Sequence, residues 1–513
     1  MTGAYALANP ISAQLNKPRE QFTREDLLSL IEQRQIQRIT FHYTALDGKL
    51  KQLKLPVANR RQAERILASG ERADGSSLFK GLVSAALSDV YVVPLYRSAF
   101  YSPFDSGSLD FLCRYLTADG SPAPFAPDSI LASAHNLLKR RHGLELHALG
   151  ELEFFLLSRP DKRLYPIPRQ AGYHGSAPFA KSGGLLDEML YHITQITGVV
   201  KYGHNEVGCI DSVRSDIEEL KGAQAEQIEV EFLPAPIDDM GDYLALARWI
   251  IRNVAFKHGC VATFTPKLEE GIAGNGLHVH MELREAGRNV MTGDDGQLSE
   301  RARQVIGGLC QYADSLTAFG NTVSSAYLRL VPNQEAPTRI CWSDLNRSAL
   351  IRVPLGWTRT VDLARSLNPQ QQTPPADVDG RQTVELRSPD GSAAAHLLLA
   401  GIAMAADWGL ATAESVDIAR RLYVTGNVLR QDAVGAVPSQ NLPRSCVESA
   451  RVLLQRRDLY EREGVFPPAM IDYVSRLLVA ENDENMNAWL ADLPADDRLH
   501  ETRKIMHKDL HRH

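Results

Sequence analysis

The stretch TFTPKLEEGIAGNGLHVHMEL, residues 263–283, decides how the rest of the chain is read. It opens with a threonine and aromatic run that ends at Pro266, the pattern of a strand running into a loop. Gly271, Gly274 and Gly276 follow within six residues, and then LHVHMEL alternates. Side chains two apart on a strand share a face. The spacing therefore predicts that His278, His280 and Glu282 project together while Leu277, Val279, Met281 and Leu283 project oppositely. Glycines let backbone approach a ligand closely, and the strand behind them aims imidazoles at it. A HisXHis pair by itself is usually the polar face of a sheet. Its reading changes because the same device recurs.

GELEFFLL (150–157) puts Glu151 and Glu153 on one face, opposite Leu152, Phe154 and Leu156. IEVEF (228–232) does the same with Glu229 and Glu231, and VELR (384–387) aligns Glu385 with Arg387. One such strand is an ordinary solvated sheet face. Four of them, aliphatic on one side and carboxylate or histidine on the other, predict a curved sheet lined with oxygen ligands. A carboxylate-dominated site with one imidazole suits Mg²⁺ or Mn²⁺ better than zinc.

The composition narrows the class. A chain of 513 residues holds two or three domains, or one large domain with an appendage. With 44% hydrophobic and 23% charged residues it reads as a soluble globular protein. A net charge of −6 and a pI near 6.2, with no basic run, argue against nucleic-acid binding. The longest apolar run, Ala393 to Ala406, is broken by His396 and Gly401; it is too short for a membrane span and predicts a buried helix. No charged segment followed by an apolar core stands at the N-terminus. The six cysteines (Cys113, Cys209, Cys260, Cys310, Cys341, Cys446) form no CysXXCys pair and read as reduced residues of a cytoplasmic protein.

Along the chain, residues 1–20 read as a flexible arm. Residues 21–120 read as a small β-grasp-like unit. TRED (23–26) resembles a capping box ahead of a short helix, and RITFHY and LKQLKLP form a hairpin about Asp47-Gly48. TADGSPAPFAP (117–127) marks a boundary. Residues 121–420 mix the ligand strands with helices at Ser129–Arg141 and Asp242–His258, and residues 421–513 form a helical extension. The terminal HKDLHRH is expected to be a solvated helix end.

In order along the chain, eight segments resemble the glutamine synthetase family. ADGSS (73–77) resembles its amine-site loop, and SDVYVVP (88–94) the strand after it. GELEFF and HNEV (204–207) resemble its two metal strands, and TFTPK with GNGLHVH its glutamate and phosphate region. RLVPNQEAP (329–337) resembles its mobile flap, NRSALIRVP (346–354) its nucleotide arginines, and ELRSPDGSA (385–393) its last ligand strand. The resemblance implies an α+β fold: a small N-terminal β-grasp domain plus a large catalytic domain whose curved antiparallel sheet, a partial barrel, is backed by helices. It implies ATP-dependent ligation of ammonium to the γ-carboxylate of L-glutamate through a γ-glutamyl phosphate, with two or more Mg²⁺ or Mn²⁺ ions per site. One ion would sit with Glu153, Glu206 and Glu229, and a second with Glu151, His278 and Glu385. Glu226 and Glu231 are rivals for Glu229, which the GlnXGlu pattern at 227–229 favours. Arg347 and Arg352 would meet the phosphates, with Arg347 stabilising the phosphoryl in flight and His280 touching the γ-phosphate. Arg329, Arg387 and the backbone of Gly274 would hold glutamate. Asp74, Ser77, Tyr173, Glu206 and Glu335 would form the ammonium site, Glu335 closing it from the flap. The family also implies a homo-oligomer, a double-ring dodecamer, in which Asp74 comes from the neighbouring subunit.

Four features depart from the family pattern. HisHisGlu is HisAsnGlu here, and the Asn before GlySerGly is Ala273. The flap GlyTyrGlu is AsnGlnGlu, and the loop between Glu206 and Glu229 is longer, carrying DSVRSDIEELK (211–221). Two other activities are consistent with the sequence: a γ-glutamyl ligase acting on another amine, and a non-catalytic structural or sensing relative.

Overall fold

The computed structural model describes residues 5–512 except 85, 87, 160–163, 167, 332–335, 357–361, 376–378 and 429–439. Two sheets organise it. The N-terminal sheet contains β1 (Arg38–Thr44), β2 (Leu50–Pro56), β3 (Glu71–Asp74), β4 (Asp89–Pro94), β5 (Phe100–Tyr101) and β6 (Ser108–Leu116). Its order is β2-β1-β6-β4-β3, with β5 added on β6. β1 pairs antiparallel with β2 across the Asp47-Gly48 turn and parallel with β6, the mixed order of a β-grasp unit. The preceding helix, Arg24–Gln33, starts at the expected box: Thr23 accepts from the Asp26 amide and Asp26 accepts from the Thr23 amide. Its Leu27 and Leu30 pack with Ile39, Phe41 and Phe111 in a core of the sheet's own. The stretch read as an arm carries the helix Pro10–Leu15, capped by Asn9 and anchored by buried Ile11. Beyond it, Arg19 donates to the carbonyls of Ile196 and Thr197, which docks this segment on the larger unit.

The larger sheet has ten strands: β7 (Glu145–Ser158), β8 (Val200–Ile210), β9 (Gln224–Phe232), β10 (Ala235–Pro236), β11 (Val261–Thr263), β12 (Leu277–Glu285), β13 (Arg288–Asn289), β14 (Trp342–Asp344), β15 (Ile351–Val353) and β16 (Val384–Leu386). The main order is β14-β15-β16-β12-β7-β9-β8, antiparallel except for β14 with β15. The sheet curls into a half barrel. Its convex, aliphatic face (Leu152, Phe154, Ile228, Val230, Leu277, Val279, Met281) joins helices Pro127–His142, Ile237–Lys257, Glu300–Gly320 and Ala395–Ala411 in one continuous core. The apolar run at 393–406 is the buried helix its composition predicts. Among the described residues no single helix is long and apolar enough to cross a membrane.

The C-terminal tail is a correction. HKDLHRH is not a solvated end: Met506, His507, Asp509 and Leu510 are buried. Helix Ala495–His507 packs against the loop after β11, and its last carbonyls are satisfied there. Thr265 donates to the Met506 carbonyl at 3.0 Å and Thr263 to that of Leu510 at 2.7 Å. The basic look of the heptapeptide hid Leu510, which lies at helical spacing from the preceding Met506 and is buried with it.

Candidate active site

The concave face of the larger sheet collects the acids. Residues opposite one another in a ladder share a face. Glu151 on β7 stands opposite His278 on β12 and Glu231 on β9. Glu153 stands opposite Glu229 on β9, which itself faces His204 on β8. Glu385 on β16 faces His280 on one side and Arg352 on the other. The result is two tight groups, Glu151–His278–Glu385 and His204–Glu206–Glu229, the donor atoms in each lying within 4.8 Å of one another. Glu151, His278, His204, Glu206 and Glu229 line one cavity of about 890 Å³, and Glu385 lies behind its wall.

The glycine loop forms the wall between strand and cavity. Asn275 is fully buried and donates to the Thr265 carbonyl at 2.8 Å, which pulls the backbone inward. A Cβ on Gly274 would meet the Pro266 carbonyl at 2.4 Å. One on Gly276 would meet His278 Nε2 at 2.8 Å and Glu153 Oε1 at 3.0 Å. Only glycine fits at Gly274, against backbone, and a side chain at Gly276 would displace the His278 and Glu153 side chains. Glu153 is fixed by the same loop: its Oε2 accepts from the Gly276 amide and from Gln227 Nε2, both at 2.9 Å.

The two acid groups differ in charge balance. Burial alone raises Glu151, but His280 and His278 outweigh it and hold the carboxyl well below the usual range. Their hydrogen bonds to it are 2.9 and 2.7 Å. Glu385 is fully buried, and it too ends below its ordinary value because His280 and Arg387 oppose burial. Arg387 and Arg352 each clasp one of its oxygens, Arg352 at 2.8 Å. On the other side burial, then Glu206 and Glu229, push Glu153 well up. Burial together with Glu151 and Glu206 raises Glu229 to about 7, against the hydrogen bond from His204. His204 is raised to about 8, since its bond to Glu229 outweighs its own burial. Carboxylates packed this way call for a cation, and the oxygen-rich donor sets with one imidazole each suit a hard divalent ion.

Arg329, Arg347, Arg352 and Arg387 line the same cavity. Arg347 is raised as its bond to Tyr173 outweighs burial. Arg329 donates to the Ser388 carbonyl at 2.9 Å, and its side chain packs over Gly274.

A model of the glutamine synthetase catalytic domain matches residues 125–488. This chain belongs to the glutamine synthetase family. It is 28% identical to the glutamine synthetase of Thermococcus kodakarensis over 440 residues, covering 85% of this chain and 87% of that one. It is 30% identical to that of Halobacterium salinarum over 421 residues, 80% and 83% of the two chains. A cryo-EM structure of Plasmodium falciparum glutamine synthetase superposes with a TM-score of 0.68 at 18% identity, covering 93% of this chain and 98% of that one. A ligand-free structure of GmaS gives 0.66 at 22% identity, with 92% and 98% covered. These two likenesses concern the fold. ATP and divalent metals are what the family implies for a cavity of this kind, and its two carboxylate groups are fit to hold such ions.

Within this glutamine synthetase fold the structure brings together Glu151, Glu153, Glu206, Glu229, His278, Tyr173, Gly274, Arg329, Arg347, Arg352 and Arg387 around the cavity, and Glu385 directly behind it. Of the rivals for Glu229, Glu226 is turned away and accepts from the amides of Lys181 and Ser182. Glu231 stands beside the cavity, bound to Lys201 at 2.7 Å. His280 lies behind Glu151, pinned between it and Thr383 Oγ1, and does not line the cavity. Glu282 shares its strand face but is spent on Arg284 and Asn289 at the far end. Asp74 and Ser77 are not among the lining residues. Asp74 caps the short turn Gly75–Leu78, and the hydroxyls of Ser77 and Ser76 hold its carboxyl down at about 2. Glu335 lies outside the described residues. Sequence reasoning missed His204, although its place two residues before Glu206 on a strand puts both on one face. It also did not count Gln227 and Lys267 as site residues, although they stand in the GlnXGlu and TFTPK motifs, nor Tyr202, which no pattern marks; all three line the cavity.

Proposed function

We propose that this chain is a glutamate–ammonia ligase that consumes ATP. The observation that carries this reading is one cavity lined by two carboxylate groups and four arginines in a member of the glutamine synthetase family. A carboxylate cannot lose oxide to an amine, so it must first be activated. An oxygen of the γ-carboxylate attacks the γ-phosphorus of ATP and ADP leaves. Ammonia then adds to the carbonyl carbon of the γ-glutamyl phosphate, loses a proton, and expels phosphate, giving glutamine.

Arg347 stabilises the phosphoryl in flight and Arg352 orients the nucleotide phosphates. Arg329 and Arg387 hold the glutamate carboxylates, and the Gly274 backbone closes against the substrate. Mg²⁺ or Mn²⁺, held by Glu153, Glu206 and Glu229 with His204 beside them and by Glu151, His278 and Glu385, would neutralise charge on the carboxylate and the phosphates. Asp74, ionised and supported by Ser77, binds ammonium together with Tyr173, and Glu335 closes the site. In this reading Asp74 serves the site of a neighbouring subunit, which its place outside this chain's own cavity supports. That requires a ring-like homo-oligomer, for which we propose the dodecamer, working in the cytoplasm. We retain the division near residues 20, 120 and 420.

The test is phosphate release from ATP with Mg²⁺ and L-glutamate, comparing ammonium, a panel of small amines and no acceptor. Stimulation by ammonium alone, abolished by Asp74→Ala, supports the reading. Preference for an organic amine moves it to a γ-glutamyl-amine ligase, and ATP binding without turnover leaves a non-catalytic relative.

A further inference from the structure

A second cavity of about 620 Å³ lies between the 211–223 loop and the face of helix Ala495–His507. The loop is the one that sets this chain apart from the family pattern between Glu206 and Glu229. His500, Arg503, Lys504, His507 and Lys508 fall three or four residues apart, so one stripe at the helix end is basic throughout. Arg214 and Lys221 face it from the loop, beside the Ser212 and Ser215 hydroxyls. Among the described residues Asp216 is the only carboxylate in the lining, against five arginine or lysine side chains. Arg503, Lys504 and Lys508 are paired with Glu269, Glu501 and Glu481, which stand outside the lining. Neither Arg214 nor Lys221 has an ion-pair partner among the described residues.

This cavity is wired to the first. Ser215 Oγ donates to His507 Nδ1 at 3.0 Å, and His507 Nε2 donates to the Leu268 carbonyl at 2.9 Å. Arg503 pairs with Glu269 at 3.1 Å. Leu268 and Glu269 belong to the loop whose neighbours Lys267, Gly271 and Gly274 line the candidate active site. The loop that carries Arg214 thus touches, through one histidine, the loop that carries Gly274.

We propose that this second cavity binds a small phosphate-bearing anion, and that its occupation is transmitted through His507 and Arg503 to the loop at 267–274. The excess of cations selects an anion. Several N–H and O–H donors converging from two sides suit the multiple oxygens of a phosphate. The volume is that of a metabolite site.

Calorimetric titration of the full-length protein with inorganic phosphate tests the binding, with citrate as the carboxylate control. Arg347→Ala is the background that removes a main phosphate contact of the first cavity. In that background phosphate should bind, and adding Arg214→Glu with Lys221→Glu should weaken it by about tenfold or more. Both loop side chains are exposed, so the substitutions should leave folding and kcat at saturating glutamate intact. Phosphate affinity unchanged by the double substitution overturns the site, and tighter binding of citrate than of phosphate overturns the ligand class. The transmission rests on the glutamate reading above. Phosphate should shift the KM for glutamate more in the wild type than in the Arg214→Glu/Lys221→Glu protein. Equal shifts in both, with binding confirmed, would overturn the transmission alone.

Discussion

The two halves of the acidic cavity use the same residue types and reach opposite electrostatic states. Around Glu385 each carboxylate already has its partner: Arg352 and Arg387 on Glu385, and on Glu151 the imidazoles of His280, raised against burial by its acidic neighbours, and of His278, which burial keeps lowered. Around Glu229, three acids share one imidazole, and Glu153 and Glu229 are driven upward by burial and by their acidic neighbours. The difference teaches that the first half is organised by the protein itself, whereas the second is completed by what binds there. A pre-paired ligand set places its charge without rearrangement, and an under-compensated one gives its cation the larger gain in free energy.

The sharpest way to break this comparison is to remove the cation neither half has claimed. Arg347 faces the cavity without a carboxylate partner at salt-bridge distance among the described residues, and Arg347→Ala should lower kcat/KM on the order of 10³-fold in steady-state assays. Loss of less than tenfold would mean the arginine only decorates the wall. Next comes Glu229→Ala, expected to lower kcat roughly 10²-fold. The same substitution should raise the midpoint of thermal unfolding of the metal-free protein, because it relieves the repulsion on Glu153.

A pH series sharpens the contrast further. Glu229 has a folded value of about 7 against an ordinary 4.5, so its contribution to stability is fully present below about pH 4.5 and is lost as pH rises through about 7. Metal-free protein should therefore show this acid's share of stability falling between those values, measured by denaturant unfolding. Millimolar Mg²⁺ should flatten the fall, since the ion replaces the proton. Glu229→Gln should remove it in both conditions.

On the pre-paired half the effects are smaller. His280 acts by positioning Glu151, so His280→Ala should weaken divalent-ion affinity about 10–100-fold while leaving ATP binding measurable. His280→Gln should recover part of that loss by restoring a donor to Glu151. The least effect belongs to Glu282, which shares the strand face but not the cavity. Glu282→Gln should cost about 1–3 kcal/mol of stability and leave kcat unchanged.

What could be read in the sequence follows from how local the physics was. The alternating strands were legible because a period of two needs only neighbours: Leu277, Val279, Met281 and Leu283 are all buried as their spacing requires. The hairpin at Asp47-Gly48 and the cap at Thr23 were legible for the same reason. Pairing between strands was not. Nothing local says that Glu229 enters the cavity while Glu231, one strand repeat away on the same face, is bound to Lys201 instead. His280 shows the same limit, for its alternation was right yet Glu151 comes between it and the cavity. The tail failed because burial of Met506 and Leu510 depends on a loop more than two hundred residues upstream, at Thr263 and Thr265.

The most direct test of the account is a Mn²⁺ titration followed by paramagnetic resonance at pH 7.5, on wild type, Glu229→Gln and His278→Ala. The account predicts two bound ions per chain in the wild type. Glu229→Gln should lose one, and the other should be lost only in His278→Ala. A single ion per chain, or two ions that survive both substitutions, would contradict the division of the cavity into two cation sites.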